Sequence, residues 1–184
     1  KVGVSIRLPL FGVDLDIATV LLAMIPFFTI LFTPLFGALV DKVGKATLWM
    51  IVGSAMVLVS HLIITFAPQG EPMYAYIAIA LLGIGYSLVP SAMWPSVPKI
   101  IPEKNLGTAY SLIYWVQNLG MWAVPIYVGR IFKKEITEAG NITQEITAAI
   151  HAEYVFIFLG IVAIATAMML YHSSRRHPEL RLDE

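Results

Sequence analysis

The sequence predicts an all-α polytopic membrane protein with five spanning helices. Three observations predict it. First, 58% of the 184 residues are hydrophobic and only 13% are charged, with a mean hydropathy of +0.78, whereas soluble domains carry about 25% charged residues. Second, the apolar residues fall into runs near the ~20 residues that a helix needs to cross a ~30 Å hydrocarbon core. Third, the runs lack the two-residue alternation of a membrane barrel, so helix is the form that satisfies every backbone amide in lipid.

The elements follow in order. Residues 1–16 read as a loop before the first span. Arg7, Pro9, Asp14 and Asp16 interrupt any signal-peptide core, and the segment reads as a loop cut into, not a natural start. Asp16 is expected to cap the first helix, because carboxylates suit helix N-termini. The bundle covers 17–173. Its spans are Ile17–Val40, Ala46–Phe66, Met73–Val97, Leu106–Gly129 and the shortest, Tyr154–Tyr171. They are joined by Asp41–Lys45, Ala67–Pro72, Pro98–Asn105 and Arg130–Glu153. The last joint is long and polar enough to hold a short surface helix. Residues 174–184 form a tail with Arg175, Arg176, His177 and Arg181. Five spans put the termini on opposite faces, and the odd number implies a partner helix or half outside this chain.

Lys and Arg set the orientation. Lys42, Lys45, Lys99, Lys104, Arg175, Arg176 and Arg181 fall on one side; fewer, Lys1, Arg7, Arg130, Lys133 and Lys134, fall on the other. The Asp41–Lys45 loop and the tail are therefore expected in the cytoplasm. Asn141-Ile142-Thr143 is a glycosylation sequon on the opposite side.

Composition also excludes. A net charge of zero gives nucleic acid no footprint. No cysteine is present, so disulfides and thiolate metal sites are out. No phosphate-binding Gly-x-x-x-x-Gly-Lys-Ser/Thr loop, His-x-x-x-His pair or carboxylate dyad occurs. No catalytic residue, metal or cofactor is expected, and the chain does not read as an enzyme.

The loop Gly37-Ala38-Leu39-Val40-Asp41-Lys42-Val43-Gly44-Lys45 carries the most information. Its Gly-x-x-x-Asp-Lys-x-Gly-Lys spacing resembles the signature loop of the major facilitator superfamily, whose carriers have two related six-helix halves. The spans then correspond to helices eight to twelve, most of the C-terminal six-helix bundle. Trp94-Pro95, Val97-Pro98, Ile101-Pro102-Glu103, Leu106-Gly107-Thr108-Ala109-Tyr110 and Gln117-Asn118-Leu119-Gly120 are similar to the major facilitator superfamily domain-containing protein 1 branch, which includes lysosomal dipeptide carriers. The resemblance runs from Ile17 to the last span; the long Arg130–Glu153 joint departs from it.

The resemblance implies a gating role for Gly37, Asp41, Lys42, Gly44 and Lys45. Asp41 would sit near the start of helix eleven, by Gly107 and Thr108, where free amides attract an anion. Gly37 would permit close helix approach, Gly44 a sharp turn, and Lys42 and Lys45 would hold the headgroup region. A plain basic turn that anchors topology is the alternative.

Polar groups inside spans tend to face cavities or other helices. Tyr110, Tyr114 and Gln117 share one helix face at spacings of four and three, with Asn118 beside them. This stripe suits a solute with amide and carboxylate groups, or equally a helix–helix contact. Tyr86 and Trp94 lie on a helix that Pro90 and Pro95 should bend. Trp94 covers a solute or sits at the cytoplasmic headgroups. Pro26 and Pro34 suggest a kinked first span. His61 reads as a packed or interfacial residue more than a proton relay. No Asp or Glu lies inside the five spans, which favours facilitated diffusion.

The expected function is part of a secondary transporter moving small organic solutes, with dipeptides or short peptides as the best match, by alternating access. The alternative is a non-transporting structural membrane subunit. Expected partners are the lipid bilayer, the N-terminal half of the carrier and a small-molecule or peptide substrate, with room for an accessory membrane subunit. A bacterial inner membrane and a eukaryotic lysosomal or plasma membrane both fit.

Overall fold

The computed structural model describes residues 5–8, 13–68, 71–138, 140–178 and 182, with 5–8, 13–19, 21 and 22 described by backbone alone. It is a helical bundle preceded by a small hairpin. Strands β1 (Ser5–Leu8) and β2 (Val13–Asp16) pair antiparallel, with Ser5 opposite Asp16 and Leu8 opposite Val13. This corrects the expected loop. Both tetrapeptides alternate polar and apolar residues, the pattern of a strand. The Asp16 side chain, expected as a cap, lies outside the described residues.

The helices are α1 (Ile17–Val43), α2 (Ala46–Phe66), α3 (Pro72–Ile100), α4 (Leu106–Glu135) and α5 (Ile142–Arg176). A single 3-10 turn, Glu103–Asn105, precedes α4. Among the described residues four helices are long and apolar enough to cross a membrane: α1, α2, α3 and α5. At 30 residues α4 is long enough, but Gln117, Asn118 and its Tyr and Trp residues lower its apolar content. The expected fourth span, Leu106–Gly129, is thus the polar one of the set. Pro90, Pro95 and Pro98 all lie inside α3, which continues as one helix through them.

The Arg130–Glu153 joint is not a loop holding a short surface helix. Arg130–Glu135 continues α4 and Ile142–Glu153 opens α5. At 35 residues α5 is about 52 Å long, well beyond a ~30 Å hydrocarbon core. The Asn141 side chain caps it by accepting from the Gln144 amide at 3.3 Å. Gln144 in turn closes the joint: its Oε1 accepts from the Thr137 and Glu138 amides, and its Nε2 donates to Thr137 Oγ1 at 2.8 Å.

Helix α3 lies across α1 and α2, and α2 also packs on α5. Small residues set these contacts. A Cβ at Gly85 would come within 2.8 Å of the Gly53 carbonyl, and one at Gly53 within 3.1 Å of the Gly85 carbonyl. Gly83 meets Phe28, and Gly160 meets Leu58, in the same way. Ser60 Oγ donates to the Ala78 carbonyl at 2.7 Å. In lipid such backbone approach and interhelical hydrogen bonding replace the hydrophobic effect. Val40, Ala46, Met50, Ala92 and Ala167 form the core at the signature-loop end. In contrast, α4 has no buried residue; it leans on α5 and only brushes α3.

Candidate functional site

The signature loop is built by two left-handed residues. Gly44 has φ 67° and Lys45 φ 58°. The Gly44 amide donates to the Val40 carbonyl at 2.8 Å, which terminates α1 as an αL cap. Lys45 then starts α2 without a side-chain cap. The Trp49 indole N–H donates back to the Gly44 carbonyl at 3.0 Å. The turn is therefore pinned from the first turn of α2.

Asp41 and Gly44 border a recess of about 90 Å³ shared with Ala92, Pro95, Ser96 and Lys99 of α3. Because α1 packs along α3, the acid at the end of α1 meets the end of α3, not the start of α4 as the resemblance implied. A Cβ placed on Gly107 would meet nothing within 4 Å, and the same holds for Gly37. Gly37 thus makes no close approach to the described residues. Gly53, Gly83 and Gly85 do. Lys42 and Lys45 are exposed.

Three of the six expected substrate residues meet. Trp94 stacks on Tyr114 with ring centroids 5.0 Å apart and lies 5.7 Å from the Tyr110 ring. This cluster joins α3 to α4. Gln117 is exposed one turn beyond Tyr114. Asn118 Nδ2 donates to the Tyr114 carbonyl of its own helix at 2.8 Å, which leaves its Oδ1 outward. Tyr86 is 55% exposed and sits two turns before Trp94 on α3, away from the cluster.

His61 is a packed residue, as expected, and it is also paired. Its Nδ1 lies 2.7 Å from Glu153 Oε2, and both side chains are largely buried. The imidazole also stacks on Phe156 at 5.1 Å. The pair ties α2 to α5. The expectation of no carboxylate within the spans thus meets a carboxylate one residue before the last apolar run, inside α5. Glu153 and Phe156 are three apart and share a helix face, so both reach the same imidazole.

A cleft of about 680 Å³ separates α4 from α5 and is lined by Tyr127, Arg130, Lys134, His151, Tyr154 and Phe158 among others. His151 Nδ1 lies 3.2 Å from Glu135 Oε1 within this cleft, bridging α5 and α4. Among the described residues no cluster of His, Asp or Glu is fit to hold a metal.

Long apolar helices, small-residue contacts and a pinned basic turn define an integral membrane protein of the all-α class. The chain belongs to the Major Facilitator Superfamily, whose sequence profile matches residues 2–125. It is similar to three proteins described as lysosomal dipeptide transporter MFSD1. The mouse (Mus musculus) protein is 44% identical over 99 residues, covering 54% of this chain and 20% of its own. The human (Homo sapiens) protein is 37% identical over 121 residues, 66% of this chain and 25% of its own. The zebrafish (Danio rerio) protein is 32% identical over 139 residues, 76% of this chain and 27% of its own. The chain therefore spans about a quarter of the length of such relatives. No solved structure matches it.

Proposed function

We propose that this chain forms the back part of an alternating-access carrier for small organic solutes, with short peptides as the substrate class. The observation that carries this reading is the Trp94–Tyr110–Tyr114 cluster, flanked by Gln117 and Asn118 on a helix with no buried residue. A polar, aromatic helix whose Gln117 and Asn118 stay exposed beyond the Trp94 contact needs a partner that lipid cannot provide. Peptide amides and carboxylates match Gln, Asn and Tyr donors and acceptors, and the relatives' printed name refers to dipeptides.

The rest of the carrier covers what is open. Helix α3 packs extensively on α1 and α2, whereas among the described elements α4 packs mainly on α5 and only lightly on α3. The α4–α5 cleft is the seat assigned to a helix of the remaining polypeptide. The N-terminal half then faces the α4 stripe across the solute path. The Lys and Arg bias supports a cytoplasmic signature loop and tail, with the Arg130–Glu153 hairpin on the other side. Asp41 acts at the cytoplasmic gate from beside the α3 end.

The test is counterflow of a dipeptide panel by the complete carrier in vesicles. Saturable exchange that falls on replacing Gln117 or Tyr114 supports the reading. No exchange of any dipeptide by a correctly folded carrier favours a structural subunit.

A further inference from the structure

We infer that Asn141 is a site of N-linked glycosylation at the tip of a helical hairpin that projects beyond the membrane. The inference rests on the orientation proposed above, and three observations carry it. Asn141-Ile142-Thr143 is an acceptor sequon. It falls where α4 has ended at Glu135 and α5 has begun, so it crowns two helical extensions. From Ile142 to the first apolar residue of the final run, Tyr154, the helix rises about 18 Å, which lifts the acceptor clear of the headgroups.

The third observation is chemical. The two ends of the Asn141 amide have separate tasks. Oδ1 accepts the Gln144 amide as the α5 cap, while glycan transfer uses Nδ2. In that step Nδ2 bonds to the anomeric carbon of a lipid-diphosphate-linked oligosaccharide. The carbon–oxygen bond to the diphosphate breaks, the lipid diphosphate leaves with the electron pair, and the amide loses one proton to a base of the transferase. Oδ1 keeps its lone pairs, so the cap survives modification. Thr143 is exposed beside it, as a sequon hydroxyl must be.

The separation of tasks makes the test clean. The complete carrier is expressed in a cultured eukaryotic cell and treated with a glycosidase that removes N-linked glycans. Wild type should drop in apparent mass by one glycan step. Asn141→Asp keeps a capping oxygen and Thr143→Ala keeps Asn141, yet both should migrate, before treatment, one glycan step below untreated wild type. Thr143→Ser should still shift. In parallel, Glu138→Cys in a cysteine-free background reports the side of the hairpin by impermeant thiol labelling. No mass step with Glu138→Cys on the non-cytoplasmic side overturns the inference alone. No mass step with Glu138→Cys on the cytoplasmic side overturns the orientation with it. A mass step of undiminished size in both Asn141→Asp and Thr143→Ala also overturns it.

Discussion

His61 and Glu153 meet at 2.7 Å across α2 and α5, under a face-on stack of His61 with Phe156. Removing one partner leaves a largely buried polar or charged group without its bond, a cost on the order of 1–3 kcal/mol. His61→Leu and Glu153→Leu should each lower the unfolding free energy of the detergent-solubilised carrier by that amount. The double variant His61→Leu/Glu153→Leu should lose less than the sum, because no orphan remains. Strictly additive losses would show that the contact carries no coupling.

The glycines divide into two groups. Gly85→Ala puts a methyl within 2.8 Å of the Gly53 carbonyl, and overpacking of this kind costs about 1–3 kcal/mol. Gly37→Ala and Gly107→Ala enter open space and should leave stability within about 0.5 kcal/mol. Thermal unfolding of the three variants side by side checks the contrast. Slowed transport by Gly37→Ala at unchanged stability would place its contact on the other half of the carrier.

The signature turn makes the same left-handed demand on two unlike neighbours, Gly44 and Lys45. Lys45 holds a left-handed conformation that costs a non-glycine residue roughly 1 kcal/mol. Lys45→Gly should therefore be neutral or stabilising, whereas Gly44→Val should cost at least about 1 kcal/mol. Trp49→Phe deletes the indole bond to the Gly44 carbonyl, with an expected loss of about 0.5–1.5 kcal/mol. Unfolding midpoints rank the three.

The α4 stripe should separate binding from folding. Helix α4 has no fully buried residue, so Gln117→Leu should move the melting temperature little, and Tyr114→Ala should cost no more than its stack on Trp94, about 0.5–1.5 kcal/mol. Loss of one hydrogen bond or aromatic contact to a solute, worth about 1.4 kcal/mol, weakens binding about tenfold. Equal falls in both quantities would mark these side chains as packing contacts. Asp41→Asn should slow transport without changing abundance, as read by uptake rate per folded carrier.

Apolar length located four of the helices because lipid rewards it, the lack of charge over Leu106–Gly129 located α4, and the turn at Gly44 was legible because glycine and charge punctuate a span. Where the helices end was not legible. Arg130–Glu135 and Ile142–Glu153 are polar, so they carry no membrane signal, yet Gln144 and Asn141 hold the backbone helical on both sides of the joint. Hydropathy reports contact with lipid, not helicity. Trp94, Tyr110 and Tyr114 were legible as a group from spacing and proximity along the chain. The partner of His61 was not, because it lies far away in sequence and only the packing of α2 on α5 brings it near. The position of Asp41 depends on which helix α1 packs against, which spacing does not specify.

The serines of α3 bear on how the bundle deforms. Ser87 Oγ donates to its own Gly83 carbonyl at 2.6 Å and to Phe28 of α1 at 3.4 Å; Ser91 Oγ divides itself between Ser87 at 2.8 Å and Thr33 at 3.1 Å. Each hydroxyl has a fallback within its own helix, so α1 can slide along α3 without orphaning a donor. The Gly53–Gly85 crossing has no such slack, since backbone meets backbone. Strain from a moving gate would therefore pass along one lubricated seam, with α2 and α3 travelling as a welded pair.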